Sequence, residues 1–354
     1  MTPSILGMGS VSALGCGIET LREGLIREKQ PAITKRELMT PEGLKSLPVY
    51  TSRVEGLERF IPRNKLRRID PFLQMGLLSS YLAIEDSGID IARMEDKSRV
   101  GIIFGTGYGP LQTSFNFFDT LIDDGDKCAS PTMFANSVHN ALVSNVSIAL
   151  KIEGPCQTLT CFDMTTWAVF STASDWLERG IVDYVLAGVG DEYCEVRGYA
   201  VLLSTSDRAN AFSPMDFNDC TYLPGEGFIT FLMGKDKSKQ GYGRIESLGS
   251  GKISSLHTGG CDAHFLAANG NSETGPYYNQ LKRETIPAFA YSNLYGGMPA
   301  GQGFDIAIAA LSLKEGALFS PHHNTGKQSK TSLKSIGCIQ CDNNGNGSII
   351  RIAS

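Results

Sequence analysis

The sequence lacks a long hydrophobic run: no apolar stretch reaches the ~18 residues of a helical membrane span, and no charged-then-apolar leader precedes the first apolar segment. The first absence excludes a membrane span, and the two together predict a cytoplasmic protein. Charge is scarce as well. Only 19% of the residues are Asp, Glu, Lys or Arg, and the net charge of −5 is mildly acidic, which argues against a chain-wide nucleic-acid footprint. The basic clusters at 65–68 and 235–239 read as a solvated face and a turn rather than as docking sites for an acidic partner. Metal chemistry lacks a ligand set: Cys338-Ile339-Gln340-Cys341 is a CxxC, but no second pair stands at zinc spacing. Nine cysteines without a secretory leader point to reduced thiols. A nucleotide loop is missing too. Gly105-Thr106-Gly107-Tyr108-Gly109 follows an apolar strand, yet it lacks the GxGxxG spacing and a following acidic residue, so it reads as a tight turn. No metal and no cofactor is expected.

What is present is an alternation of strands and helices. Strands are predicted at Ser4–Met8, Val100–Phe104, Gly227–Met233, Arg244–Leu248, Phe289–Tyr291 and Ser348–Ile352. Helices are predicted near Glu19–Glu28, over Phe72–Asp86 with Gly88 as its C-cap, and over Asp305–Glu315. Strand, Gly-rich turn and buried helix recur in both halves, around Asp163 and around Gly296. The alternation argues for an α/β architecture, and 42% hydrophobic residues over 354 positions suffice for one large core or two half-size ones. Pattern alone leaves a doubly wound sheet and a duplicated sandwich equally open.

The richest stretch is Gly154–Gly190, GPCQTLTCFDMTTWAVFSTASDWLERGIVDYVLAGVG. It reads as a strand, a sharp turn, a long helix and a second apolar strand. Residues Met164–Ala173 carry no charge, so the helix is expected to be buried on all sides, and both tryptophans, Trp167 and Trp176, lie in it. A strand that enters the N-terminus of a buried helix offers free N–H groups and the positive end of a dipole. That setting activates a thiol as a nucleophile.

This segment resembles the nucleophile region of β-ketoacyl synthases, the condensing enzymes of fatty-acid and polyketide synthesis. Gly154-Pro155 and Ala187-Gly188 fit the family frame without a gap, and they place Asp163 at the nucleophile position, with Cys161 two residues early. The resemblance runs nearly end to end. It includes Ile5–Gly15, Arg67–Phe72, Gly105-Thr106-Gly107, Ser213-Pro214-Met215-Asp216 with Gly225-Glu226-Gly227, and Ala310–Gly316. It implies the thiolase fold, α/β, duplicated and five-layered (αβαβα), assembled as dimers. An N-terminal thiolase-like half is expected over 1–225 and a shortened C-terminal half over 226–354.

The resemblance also shows where the chemistry departs. Decarboxylative condensation needs a thiolate and two polar groups, usually histidines, that stabilise the enolate and oxyanion. The first histidine position falls on Asn269, the second on Gly296, the family lysine near Tyr291, and the gating loop on Cys341-Asp342-Asn343-Asn344. An aspartate at 163 is expected to sit as an N-cap, accepting backbone N–H bonds and stabilised by the dipole. Met164, Thr165, Thr166 and Trp167 follow it where small residues are usual, which implies a filled or reshaped pocket. The profile resembles the chain-length factors, cysteine-less relatives that pair with an active ketosynthase as a heterodimer. Ser137–Ala141 fits that branch, and Met133, Phe134 and His139 are then expected beside the partner's acyl tunnel, His139 as a satisfied interface residue.

Three readings follow. The first is a non-condensing subunit that pairs with an active ketosynthase and shapes its tunnel, with an acyl carrier protein as partner. The second is an active synthase or acyltransferase that uses Cys161, with His264, His322 or His323 supplying the missing groups. The third is a homodimeric acyl-thioester binder or decarboxylase, against which an anionic Asp163 would repel a malonyl carboxylate.

Overall fold

A computed structural model describes residues 2–204, 212–218, 221–235, 241–282, 285–319 and 333–354. Ten strands carry the architecture: β1 (Ser4–Ser12), β2 (Val100–Gly105), β3 (Cys156–Leu159), β4 (Tyr184–Asp191), β5 (Gly227–Gly234), β6 (Arg244–Lys252), β7 (Ala263–Leu266), β8 (Ala288–Phe289), β9 (Ser335–Cys341) and β10 (Asn346–Ala353). Hydrogen bonding orders the first five β1-β5-β4-β2-β3 and the second five β6-β10-β9-β7-β8. Both sets therefore run first, fifth, fourth, second, third. Polarity repeats with order: the first two pairings are antiparallel and the last two parallel in each set. Order and polarity repeated together mark an internal duplication. The two sets join through a single residue pair, Ser4 with Arg244.

The helices that matter for the site are α1 (Pro71–Ser87), α2 (Leu111–Asp124), α3 (Pro131–Ser137), α4 (Ala141–Leu150), α5 (Thr165–Glu178), α6 (Glu195–Ser204), α7 (Gly275–Leu281) and α8 (Gln302–Glu315). Helices α1 and α4 cover the outer face of the first sheet, where Phe72, Leu77, Leu142 and Val146 meet Ile102 and Leu232. Helices α5 and α8 lie between the sheets, with Val169, Phe170, Phe304 and Ile308 packed among Ile103, Val185, Phe265 and Ile336. On the far side, Tyr278 and Leu281 of α7 rest on Leu266 and Ile339. The result is the five-layered αβαβα arrangement of the thiolase-like fold.

Local sequence explains these elements. Strands β2 (VGIIFG) and β5 (GFITFLMG) are buried along their whole length, because helices cover both faces of the sheet and no solvent side exists to demand alternation. Helix α1 starts where Asp70 accepts a hydrogen bond from the Leu73 N–H at 2.9 Å, with Pro71 next, and stops at Gly88 in the left-handed region. A Cβ at Gly7 or Gly9 of β1 would stand 2.4 Å from Ala83 O or 2.1 Å from Ser79 O, so glycine alone lets the strand lie this close to α1.

One expectation is corrected and one element is new. The helix after the sharp turn is not buried on all sides: Thr165, Thr166, Val169, Phe170, Ala173 and Leu177 form its buried face, whereas Trp167, Ala168, Ser171 and Thr172 are half-buried. A hairpin, Thr34–Thr40 with Gly43–Val49, stands apart from the main sheet and was not foreseen. The CxxC offers no paired site. Three residues apart on a strand, its thiols face opposite ways, Cys338 into the central layer and Cys341 toward the far layer. No helix among the described residues is long and apolar enough to cross a membrane. Positions 236–240, and with them most of the second basic cluster, lie outside the described residues, as do His322 and His323.

Candidate functional site

The duplication places the ends of β3 and β9 next to each other. Between them opens a cavity of about 900 Å3 that draws on both halves: Tyr108, Cys161, Asp163, Met164, Arg197 and Tyr222 from the first, and Asn269, Tyr278, Met298, Pro299, Gln340 and Asp342 from the second.

Asp163 lies in a short turn, Phe162–Met164, between the end of β3 and the start of α5. It does not cap the helix. Met164 occupies the N-cap position and no side chain caps the helix there. The inserted turn carries Asp163 out of reach of the helix amides, and its carboxylate crosses to β9, where Oδ1 accepts a hydrogen bond from Gln340 Nε2 at 3.0 Å. The same nitrogen donates to Pro299 O at 2.9 Å. Burial pushes the Asp163 carboxyl up to about 6; the Gln340 bond works against this, and the nearby Asp342 and Asp191 add to it. The expected dipole-stabilised anion is thus replaced by a carboxyl that burial makes easier to protonate.

Cys161 stands just beyond the strand rather than on it, exposed at the cavity wall, with its N–H donating to Thr165 Oγ1 at 2.9 Å. Phe162 beside it has a φ of 46°, unusual for a residue with a side chain. Its exposed ring meets Tyr108 edge to face at 6.0 Å. Among the described residues no histidine and no lysine lines the cavity. His264 is buried on β7 with Nε2 2.9 Å from Thr258 O, away from Cys161's wall.

The remaining sequence candidates divide. Asn269 lines the cavity, its Oδ1 accepting from the Asn271 N–H at 3.2 Å. Gly296 does not line it. That residue is buried at φ 81°, and a Cβ there would stand 2.5 Å from Gly225 Cα, so a histidine would not fit without parting two crossing segments. Met298 and Pro299 reach the wall instead. Tyr291 points away and donates to Phe319 O at 2.6 Å. The stretch from Cys341 to Asn344 does line the cavity. Trp167 does not; it packs against the central core. Met133, Phe134 and His139 lie on and just after α3, outside the cavity of this single chain, with Phe134 58% exposed and stacked at a tilt on Phe117 at 5.6 Å.

Sequence reasoning missed the groups that hold this wall together. Arg197, fully buried, donates through its terminal nitrogens to Glu192 O (3.1 Å), Gly225 O (2.9 Å), Tyr222 Oη (3.1 Å) and Gly297 O (2.6 Å), and its guanidinium faces the Tyr108 ring at 5.2 Å. Asp191, also buried, accepts from Thr106 Oγ1 and Gly107 N at 2.8 Å, Tyr108 N at 3.0 Å and Ala300 N at 3.1 Å. It ties the Gly-Thr-Gly turn of the first half to the Met298–Gly301 turn of the second. Next to it, burial raises Glu192 to about 8. The acidic pair at the end of β4, Asp191-Glu192, was the available signal, because carboxylates at the end of a buried strand need buried donors.

Chemically, the cavity presents Asp163, Glu273 and Asp342 against one cation, Arg197, whose terminal nitrogens already serve protein acceptors. Among the described residues it holds no thiol at the helix start and no pair of imidazoles.

Residues 4–238 match the family of the β-ketoacyl synthase N-terminal domain. Among curated proteins, the chain is similar to 3-oxoacyl-(acyl-carrier-protein) synthase 2 of Vibrio cholerae, 24% identical over 202 residues covering 55% of this chain and 47% of that one. It is also similar to the synthase 2 of Rhizobium meliloti, 26% identical over 237 residues covering 63% and 56%. The chain thus spans about half the length of these relatives. Among solved structures, the ishigamide ketosynthase/chain length factor superposes with a TM-score of 0.83 at 14% identity, covering 100% of this chain and 99% of that one. A ketosynthase in complex with its chain length factor from Xenorhabdus doucetiae gives 0.78 at 14%, covering 99% and 98%. At these identities the structural likeness establishes the fold.

Proposed function

Since the chain belongs to the β-ketoacyl synthase family, we propose that it is a non-condensing subunit of the chain-length-factor type, which pairs with an active ketosynthase and shapes its acyl tunnel while an acyl carrier protein delivers the chain. One observation carries this reading: Asp163, which the resemblance puts at the position of the family nucleophile, is bonded to Gln340 in a cavity without histidine or lysine among the described residues. A carboxylate does not replace a thiolate in thioester exchange, and with no histidine lining the cavity among the described residues the decarboxylation step is without its two imidazoles.

The surface supports pairing. Strand β3 ends the sheet, bonded only to β2 among the described residues, and its residues are half to fully exposed. An unpaired edge of this kind invites a second strand. On the surface of the same half Phe118, Phe134, Ile148 and Phe162 are 56–77% exposed, and burying each contributes on the order of 1–2 kcal/mol. A solved protein of this fold is described as a ketosynthase in complex with its chain length factor, which supports the reading of this chain as one member of a pair.

The test is a reconstituted pair with an active ketosynthase and its carrier protein. Phe134→Ala or Met133→Ala in this subunit lengthens the product and leaves the partner's acylation rate nearly unchanged. Fixed product length with reduced turnover would mean structural support without tunnel shaping.

A further inference from the structure

A second cavity, of about 510 Å3, opens on the outer face of the first half and shares no residue with the Asp163 cavity. It lies between the C-terminal ends of α1 and α4. Phe60 and Tyr81, stacked at 4.3 Å with their rings nearly parallel, form one wall, and Ile84, Ile91 and Leu150 supply most of the rest. Its size falls within the range of small-molecule sites. Among the described residues no Ser, Thr, Asn or Gln side chain lines it, and its polar side chains are those of Tyr81, Glu85, Asp90, Lys97 and Lys151.

The rim carries charge of both signs, but not in balance. Glu85 is paired with Arg59 at 3.3 Å and Asp90 with Arg93 at 3.2 Å. Lys97 and Lys151 also line the cavity, and among the described residues neither ammonium has an ion-pair partner. A hydrocarbon pocket with two uncommitted cations at its mouth is complementary to a single alkyl chain that ends in an anion. We propose that this cavity binds a medium-chain fatty carboxylate, its chain against the Phe60–Tyr81 wall and its carboxylate between Lys97 and Lys151. This is a site separate from the acyl tunnel and independent of whether the chain condenses.

Isothermal titration of the full chain with hexanoate, octanoate and decanoate tests it, with decanol as the neutral control. Affinity rises about fourfold per added methylene until the cavity is filled. The double variant Lys97→Gln/Lys151→Asn weakens decanoate at least tenfold and leaves decanol unchanged. Asn is chosen because Lys151 has a φ of 54°, which Asn tolerates. A third variant, Ala149→Trp, fills the cavity and abolishes binding of both. Absence of saturable decanoate binding, equal affinity in the double variant, or binding that survives Ala149→Trp would each overturn the assignment; the last would place the ligand elsewhere in the protein.

Discussion

Asp163→Asn separates two roles for the residue at the nucleophile position by the sign of a pH dependence. In the folded chain burial raises the Asp163 carboxyl to about 6 from an ordinary 3.8. A raised carboxyl is held more tightly as the acid, so the folded state binds more protons than the unfolded state between those values, and stability falls as pH rises through them. The shift of roughly two pH units corresponds to on the order of 3 kcal/mol at about 1.4 kcal/mol per unit. Residual solvent contact at this half-buried group reduces that to on the order of 2 kcal/mol. Asparagine cannot ionise and keeps an oxygen for Gln340 Nε2. Relative to wild type, the Asp163→Asn variant should therefore gain about 2 kcal/mol of stability between pH 4 and pH 8, a few degrees in melting temperature. Thermal melts of both proteins across that range, at one protein concentration, provide the assay. An N-capping aspartate would have a depressed pKa and would give the opposite slope, the variant losing ground as pH rises. That outcome, or a difference independent of pH, would refute the burial argument.

Restoring the thiol alone should not restore condensation. Asp163→Cys, supplied with acyl and malonyl carrier proteins, is expected to form no detectable elongated product, because among the described residues no histidine lines the cavity; measurable elongation would show that other groups supply that stabilisation. Asp191→Ala strips the acceptor from four donors, Thr106 Oγ1 and the N–H groups of Gly107, Tyr108 and Ala300. It should cost about 3–5 kcal/mol in urea unfolding, and a loss under about 1 kcal/mol would mean that the two turns hold together without it.

The α/β class was legible because buried strands and turn glycines leave local marks, whereas the duplication came from the family resemblance. The apolar runs at Val100–Gly105 and Gly227–Gly234 need no knowledge of their neighbours. Strand order was not legible, since it depends on pairings such as β1 with β5 that lie more than two hundred residues apart. The hairpin escaped notice because TKRELMT and GLKSLPV bury little beyond Leu38, Leu47 and Val49, too few positions to set a period. At the site, the Gly154-Pro155 frame located Asp163, yet its hydrogen-bond partner is 177 positions away and inside a CxxC that drew attention for its cysteines instead. Arg197 was invisible for a different reason. Three of its four acceptors are main-chain carbonyls, and a carbonyl leaves no trace in residue type.

The central claim is that this chain does not take an acyl group onto itself. Intact-protein mass spectrometry after incubation with acyl-carrier thioesters, run on the wild type and on Cys161→Ala, tests it most directly. The wild-type mass should remain unmodified. A stable acyl adduct on the wild type that is absent from Cys161→Ala would contradict the claim and make Cys161 the working nucleophile.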